Sequence, residues 1–325
     1  MSLTEDSLIE TMRGFMSSRA LLTALELDVF TAIGSGAGAG AVAAKLGTDA
    51  RATEMLLNVL VSLGLLTKKE EIFRNQPLAA RFLSGDSPGN ARPGLMHMVN
   101  LWDSWSALTG CVRRGGPASQ RPAAERGEEA TRAFIAAMDR NARLRAPEVV
   151  RAAGTGFQRM LDLGGGSAAY AIAFAQAHPQ LSVEVLDLPD VLPLTQDYIR
   201  RAGLEARIRI RPGDLRSDRF GEGYDLVLLS AIAHMFSPAE NRDLLGRIYH
   251  ALAPNGRLVL QDFILEPDKT GPAFAALFSL NMLVNTEGGA SYSEAEYDAW
   301  LRAAGFRETR RVRLPGPANL ILAAK

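Results

Sequence analysis

Apolar positions recur at helical spacing through the first ninety residues. Leu8, Met12, Phe15, Leu21, Leu22, Leu25 and Phe30 mark one helical face. A Gly/Ala-rich turn at Gly34–Gly40 precedes a short helix predicted over Val42–Leu46. Thr53–Leu63 predicts a strongly apolar helix closed by Gly64, and Leu65–Asn75 predicts two short strands around Lys68–Glu71. Helix, helix, then hairpin is the layout of a winged helix. The helix in the recognition position carries Met55, Leu56, Leu57, Val59, Leu60 and Val61. A major-groove reader would present Arg, Lys, Asn or Gln there. Burial between two copies of the chain is the better expectation.

From Gly94 to Gly154 the pattern is helical, with a Pro/Gly-rich interruption at Gly115–Pro122. The rhythm then changes to strand, turn, helix. Strands are predicted at Phe157–Leu163, Ser182–Leu188, Arg207–Arg211, Tyr224–Leu229 and Arg257–Ile264, separated by helices at Ala168–Ala177, Val191–Ala202 and from Ser237 to the turn Pro254–Gly256. Ser237-Pro238-Ala239-Glu240 and Ser293-Glu294-Ala295-Glu296 are capping boxes. Arg307–Leu314 and Asn319–Ala324 are two further strands joined by Pro315-Gly316-Pro317, too short for a crossover, so this pair is antiparallel. The expected class is α/β: a seven-stranded, Rossmann-like sheet with its last strand reversed, behind an N-terminal helical domain.

Composition narrows the partners. Lys plus Arg and Asp plus Glu each total 36, so the net charge is zero and no basic surface for nucleic acid or anionic membrane is expected. Cys111 is the single cysteine, which excludes an intrachain disulfide and a cysteine-based zinc site. Met1–Glu10 is acidic and unlike a signal peptide, and no apolar run reaches the roughly 20 residues of a membrane span, so a cytoplasmic location is expected.

Three acids fall at predicted strand ends: Asp162 before Gly164-Gly165-Gly166, Asp187 after the second strand, and Asp214 in Pro212-Gly213-Asp214-Leu215. Ligands of open parallel sheets bind at those ends. Bare glycine backbone lets a ligand approach, and an acid about twenty residues beyond such a turn typically meets ribose hydroxyls. A glycine turn alone also serves as a tight connection, and NAD competes for the same geometry. NAD prefers a further glycine where this chain has Ala169, and the reversed last strand also weighs against it.

Asp162-Leu163-Gly164-Gly165-Gly166, Asp187-Leu188-Pro189 and Gly213-Asp214 resemble class I S-adenosylmethionine-dependent methyltransferases. More narrowly, they resemble the small-molecule O-methyltransferases of the plant caffeate and bacterial natural-product type. The resemblance implies a homodimer through a winged-helix domain over 1–95, a helical connector over 96–154 contributing to the acceptor pocket, and a catalytic domain over 155–325. It implies S-adenosylmethionine as cofactor and S-adenosylhomocysteine as product. Gly164 would contact the methionine portion, Asp187 the ribose, and Asp214 and Leu215 would flank the adenine, with Asp162, Gly165, Gly166 and Leu188 also at the cofactor. Ser230 stands where plant members carry a lysine near the cofactor.

His234, just past the fourth catalytic-domain strand, matches the family's catalytic base. A neutral imidazole can take the proton of an attacking hydroxyl at cellular pH; packing beside the Ser237 helix is the alternative role. Plant members follow the histidine with an acid where this chain has Met235. Asp262 replaces a glutamate that orients the base, and Ser291 replaces another. These departures leave C-methylation, or a hydroxylation or decarboxylation that uses the cofactor without methyl transfer, as alternatives. A ligand-sensing winged-helix regulator is a third. Trp105, Phe134, Met138, Phe278 and Met282 match pocket positions, with Trp102 and Phe236 as further walls, although the same spacing also suits a core. The expected acceptor is a small, apolar or aromatic molecule, with no metal.

Overall fold

The computed structural model describes residues 4–118 and 127–325; of the interruption expected at Gly115–Pro122, positions 119–122 lie outside the described residues. The described residues within Met1–Trp102 and Arg132–Ala137 form one compact unit, and those within Asp103–Thr131 and Met138–Lys325 form another.

The first unit opens with α1 (Glu5–Glu26), whose capping box pairs Thr4 with Ser7. The single helical repeat expected through Phe30 breaks at Asp28, which adopts φ +60° and separates α1 from α2 (Val29–Ile33). Aspartate tolerates this left-handed conformation better than most side chains. Within the expected glycine turn, β1 (Ala37–Gly38) forms instead and leads directly into α3 (Ala39–Leu46), earlier than the spacing predicts. Next come α4 (Ala50–Ser62), β2 (Leu66–Lys69), β3 (Ile72–Asn75), α5 (Pro77–Phe82) and α6 (Arg92–Asn100). β1 adds to the predicted hairpin, giving a three-stranded sheet in the order β1-β3-β2. Phe30, Leu57, Leu60 and Phe73 are fully buried at its centre.

The second unit takes up α7 (Trp102–Ser106) after its first residue, α8 (Leu108–Arg114) and most of α9 (Glu128–Ala153). Alternating elements then run β4 (Arg159–Leu163), α10 (Ala169–Ala177), β5 (Ser182–Asp187), α11 (Leu192–Ala202), β6 (Ile208–Pro212) and β7 (Tyr224–Ser230). A 3₁₀ turn at Ala233–Met235 leads to α12 (Pro238–Ala251), then β8 (Leu252–Asp262), α13 (Ala273–Asn285), α14 (Glu294–Ala304), β9 (Glu308–Val312) and β10 (Asn319–Ala324). The seven strands lie in the order β6-β5-β4-β7-β8-β10-β9, and β10 is antiparallel to both its neighbours. Strand order therefore reverses at β4, where ligand sites of such sheets form.

One strand departs from the sequence pattern. The turn expected at Pro254–Gly256 lies inside β8, where Asn255 takes φ +64° and the pairing with β7 shifts between Tyr224 and Leu226. The strand also stops at Asp262 rather than Ile264. Among the described residues, no helix is long and apolar enough to cross a membrane.

Apolar side chains also remain on the outside of the first unit. On α1, Leu8, Met12, Phe15 and Met16 form a stripe at helical spacing, with Met12 69% and Phe15 57% exposed. On α4, Met55, Val59 and Leu63 do the same opposite buried Leu57 and Leu60. Contiguous exposed apolar surface of this kind marks an association face. Replacing Met12 and Phe15 together by glutamate should leave helical circular dichroism unchanged and reduce the mass in light scattering to that of one 35.0 kDa chain.

Candidate active site

The glycine turn follows β4 directly. Gly164 and Gly166 have φ of +68° and +56°, which an L side chain adopts only with strain. The Gly164 amide donates to the Leu186 carbonyl at 2.8 Å, tying the turn to β5. A Cβ on Gly164 would lie 2.5 Å from Ile232 Cδ1, and one on Gly165 would lie 2.6 Å from Val185 Cγ1 and 2.9 Å from Asp162 Oδ2. The missing side chains thus make room for the protein's own atoms, a reason for glycine beside the ligand approach the sequence suggests.

Asp162 and Asp187 converge beside this turn. Asp187 accepts from the Gly166 amide at 2.7 Å and the Leu188 amide at 2.8 Å. Asp162 is buried, and its Oδ2 has no hydrogen-bond partner among the described residues. Burial, reinforced by the Asp187 charge and opposed by the Ala171 amide, pushes the Asp162 carboxyl up to about 7. Burial also raises Asp187, against the pull of its two amide donors.

Nearby, Ser230 Oγ donates to Gln261 Oε1 at 2.7 Å, and burial raises the Tyr170 phenol against the opposing pull of these two side chains. Sequence reasoning missed Tyr170 and Gln261, which lie in apolar helix and strand patterns. Asp214 closes a tight turn by accepting from the Arg216 amide at 2.8 Å, while Leu215 packs into the core.

His234 sits in the 3₁₀ turn after β7 and is 5% exposed. The buried Asn241 side chain holds this turn by donating to the Ala233 carbonyl at 2.9 Å and the Phe236 carbonyl at 3.0 Å. Asp262 then fixes the ring: its Oδ1 lies 2.6 Å from His234 Nδ1, and its Oδ2 accepts the His234 backbone N–H at 3.0 Å. Phe278 meets the imidazole edge-on at 4.8 Å between ring centres, and Phe263, a residue the sequence reading did not single out, lies 5.9 Å away on its face.

The other expected pocket residues separate. Trp105 Nε1 donates to Asn281 Oδ1 at 2.9 Å, which ties α7 to α13 beside Phe278 and the buried Met282. Met138 is half-buried in the second unit. Phe134 belongs to the first unit, where it packs edge-on to His97, and Trp102 lies there under Arg19. Phe236 is buried in the apolar cluster that includes Leu229 of β7, with the Arg216 guanidinium 4.8 Å from its ring centre. A surface cleft of about 300 Å³ elsewhere in this unit, lined by Pro267, Glu294, Asp298 and Arg311, includes none of these groups.

The model of the O-methyltransferase domain matches residues 115–307, and that of the O-methyltransferase dimerisation domain matches 9–85. The chain belongs to the O-methyltransferase family. Over 97% of its length, covering 94% of the relative, it is 35% identical to 3-hydroxy-5-methyl-1-naphthoate 3-O-methyltransferase of Streptomyces sahachiroi. The solved structure of PigF, a methyltransferase of Serratia sp., with S-adenosylhomocysteine superposes with a TM-score of 0.92 at 30% identity, covering 99% of this chain and all of that one. Human N-acetylserotonin methyltransferase with S-adenosylmethionine gives 0.86 at 30% identity, covering all of this chain and 99% of that one.

This chain is therefore an S-adenosylmethionine-dependent methyltransferase with a dimerisation domain. Its residues fit that cofactor. An unpartnered buried carboxylate oxygen on Asp162 suits a cationic neighbour, and the Asp187 carboxylate at a strand end retains capacity to accept hydroxyl donors.

The Asp162 carboxyl has a titration consequence. It ionises near 7 in the folded protein and near its ordinary value of 3.8 when unfolded. Below pH 4 it contributes nothing to pH dependence. Between pH 4 and 7 the unfolded state loses the proton first, so stability falls as pH rises. Without cofactor, Asp162→Asn should match the parent at pH 4 and exceed it at pH 7.5 in urea unfolding midpoints.

Proposed function

We propose that this enzyme methylates a phenolic hydroxyl on a flat aromatic acceptor, with His234 as general base. The observation that carries the reading is the buried His234–Asp262 pair. Asp262 also accepts two backbone N–H groups, which can only donate, so it acts as a carboxylate acceptor and Nδ1 supplies the proton of the 2.6 Å contact. Nε2 then carries the free lone pair, and among the described residues no hydrogen bond occupies it. The aromatic groups of Phe263 and Phe278 beside the ring suit a planar acceptor. The naphthoate acceptor named for the Streptomyces relative is of this class.

When bound, S-adenosylmethionine supplies a methyl group activated by its sulfonium and departs as the neutral thioether. Asp162, Gly164, Gly165 and Gly166 would hold its methionine portion, Asp187 and Leu188 its ribose, Asp214 and Leu215 its adenine. The Ser230–Gln261 pair would stand beside the methionine portion. His234 Nε2 takes the acceptor's hydroxyl proton as the oxygen attacks, and Asp262 stabilises the resulting imidazolium. Much of the acceleration comes from holding oxygen and methyl carbon in line. Trp105, Met138, Phe278 and Met282 would flank the acceptor. The reading assigns dimerisation to 1–95, part of the acceptor pocket to 96–154, and cofactor binding and chemistry to 155–325.

Labelled methyl transfer to a panel of hydroxynaphthoates and simpler phenols tests this reading, with the methyl position fixed by carbon NMR. His234→Ala should lower kcat by about 10²- to 10⁴-fold, the usual worth of a positioned base, while S-adenosylhomocysteine still binds in calorimetry. Undiminished turnover in that variant, or methyl on carbon, would overturn it. Asp187→Ala should abolish S-adenosylhomocysteine binding, and unchanged binding would remove Asp187 from the cofactor site.

A further inference from the structure

The Asp262 carboxylate has a fourth partner, supplied by α14. The Tyr297 hydroxyl lies 3.1 Å from Oδ2, the oxygen that also accepts the His234 backbone N–H. On the other oxygen, the Phe263 amide donates at 2.8 Å beside His234 Nδ1. A carboxylate offers about four acceptor positions, and these four donors fill them. Tyr297 is fully buried, with its ring edge-on to Tyr292 and Trp300 at 5.9 and 5.5 Å. Burial, with Asp262 the foremost of its charged neighbours, holds the phenol well above its ordinary range, so it remains an O–H and donates. The other titratable groups acting on this cluster are Tyr292 ahead of α14, Glu296 within it and Glu240 on α12.

We infer that Tyr297 is a positioning residue for methyl transfer, its hydroxyl locking Asp262 in the rotamer that holds His234 with Nδ1 protonated and Nε2 presented to the acceptor. The inference rests on His234 being the base. Tyr297 is fully buried and acts through the carboxylate. Its donation also tempers the Asp262 charge that favours an imidazolium. Removing it strengthens that charge, so His234 stays protonated to higher pH and is a less available base.

Tyr297→Phe keeps the ring and its edge contacts and deletes one donor. Loss of a hydrogen bond to a charged group predicts kcat reduced by about 10- to 150-fold, with the KM for S-adenosylmethionine unchanged. The acid limb of the kcat profile should move to higher pH. Difluorotyrosine at position 297, a stronger donor of nearly the same size, should move that limb to lower pH. In a His234→Gln background, Tyr297→Phe should cause no further loss, because its effect passes through the imidazole.

An unshifted limb and unchanged kcat overturn the inference. So does the same fold-loss in the His234→Gln background, which is what a purely structural role predicts. Proton NMR of the His234 Nδ1–H in the unliganded protein provides a readout independent of turnover. A displaced resonance in Tyr297→Phe supports the positioning role even if His234→Ala retains full activity, the result that defeats the base assignment alone. An undisplaced resonance overturns the positioning role.

Discussion

The second unit depends on the way one carboxylate is satisfied. Asp262 is buried at the end of β8, where an ionised side chain without partners would cost far more than any single contact returns. Its donors come from three places: the next residue of the chain, the 3₁₀ turn after β7, and α14. Each is drawn to the same point by the requirement that the carboxylate be complete. The tautomer of His234 follows from that requirement. So does the position of the turn, which Asn241 and Tyr292 hold from the other side through the Phe236 carbonyl.

Asp162 illustrates the opposite case. It is as buried as Asp262, yet one oxygen finds no partner among the described residues, and Asp187 adds a second negative charge nearby. The fold bears a cost there that a cationic ligand group relieves. The two buried aspartates thus divide the work by how they are solvated. One is completed by the protein and orients the His234 imidazole. The other remains incomplete, and its protonation couples to what lies beside it.

Features written in local chemistry were legible from the sequence. The capping boxes at Ser237 and Ser293, the glycine turn, the acids at strand ends and the reversed last strand all depend on neighbours close along the chain. The break at Asp28 was hidden because apolar spacing continues across it. Tyr297 was hidden for a related reason: with Trp300 and Leu301 it reads as one apolar helix face, and nothing local reveals that its hydroxyl meets a carboxylate 35 residues earlier. The glycines were legible as a turn, but a further reason for them was not, since Ile232 and Val185, distant in sequence, lie where their side chains would be.

Alternation along the strands explains how adjacent residues come to serve different chemistry. Met160, Val185, Leu228 and Val259 face one apolar cluster, and by the two-residue period Asp162, Asp187, Ser230 and Gln261 share their face at the strand ends. Leu258 and Leu260 face the other cluster, and Asp262 follows them. Gln261 therefore belongs with Asp162 and Asp187 while its neighbour belongs with His234. A slip of one residue in β8 would exchange them. The strand is exposed to that error, since its pairing with β7 already shifts near Leu226. The reversed β10 supplies the missing constraint. It pairs with β8 without interruption from Ala324 opposite Arg257 to Asn319 opposite Asp262, which fixes the register up to the strand's carboxyl end. The feature that separates this sheet from an ordinary dinucleotide-binding one thereby also decides which side of it Asp262 occupies.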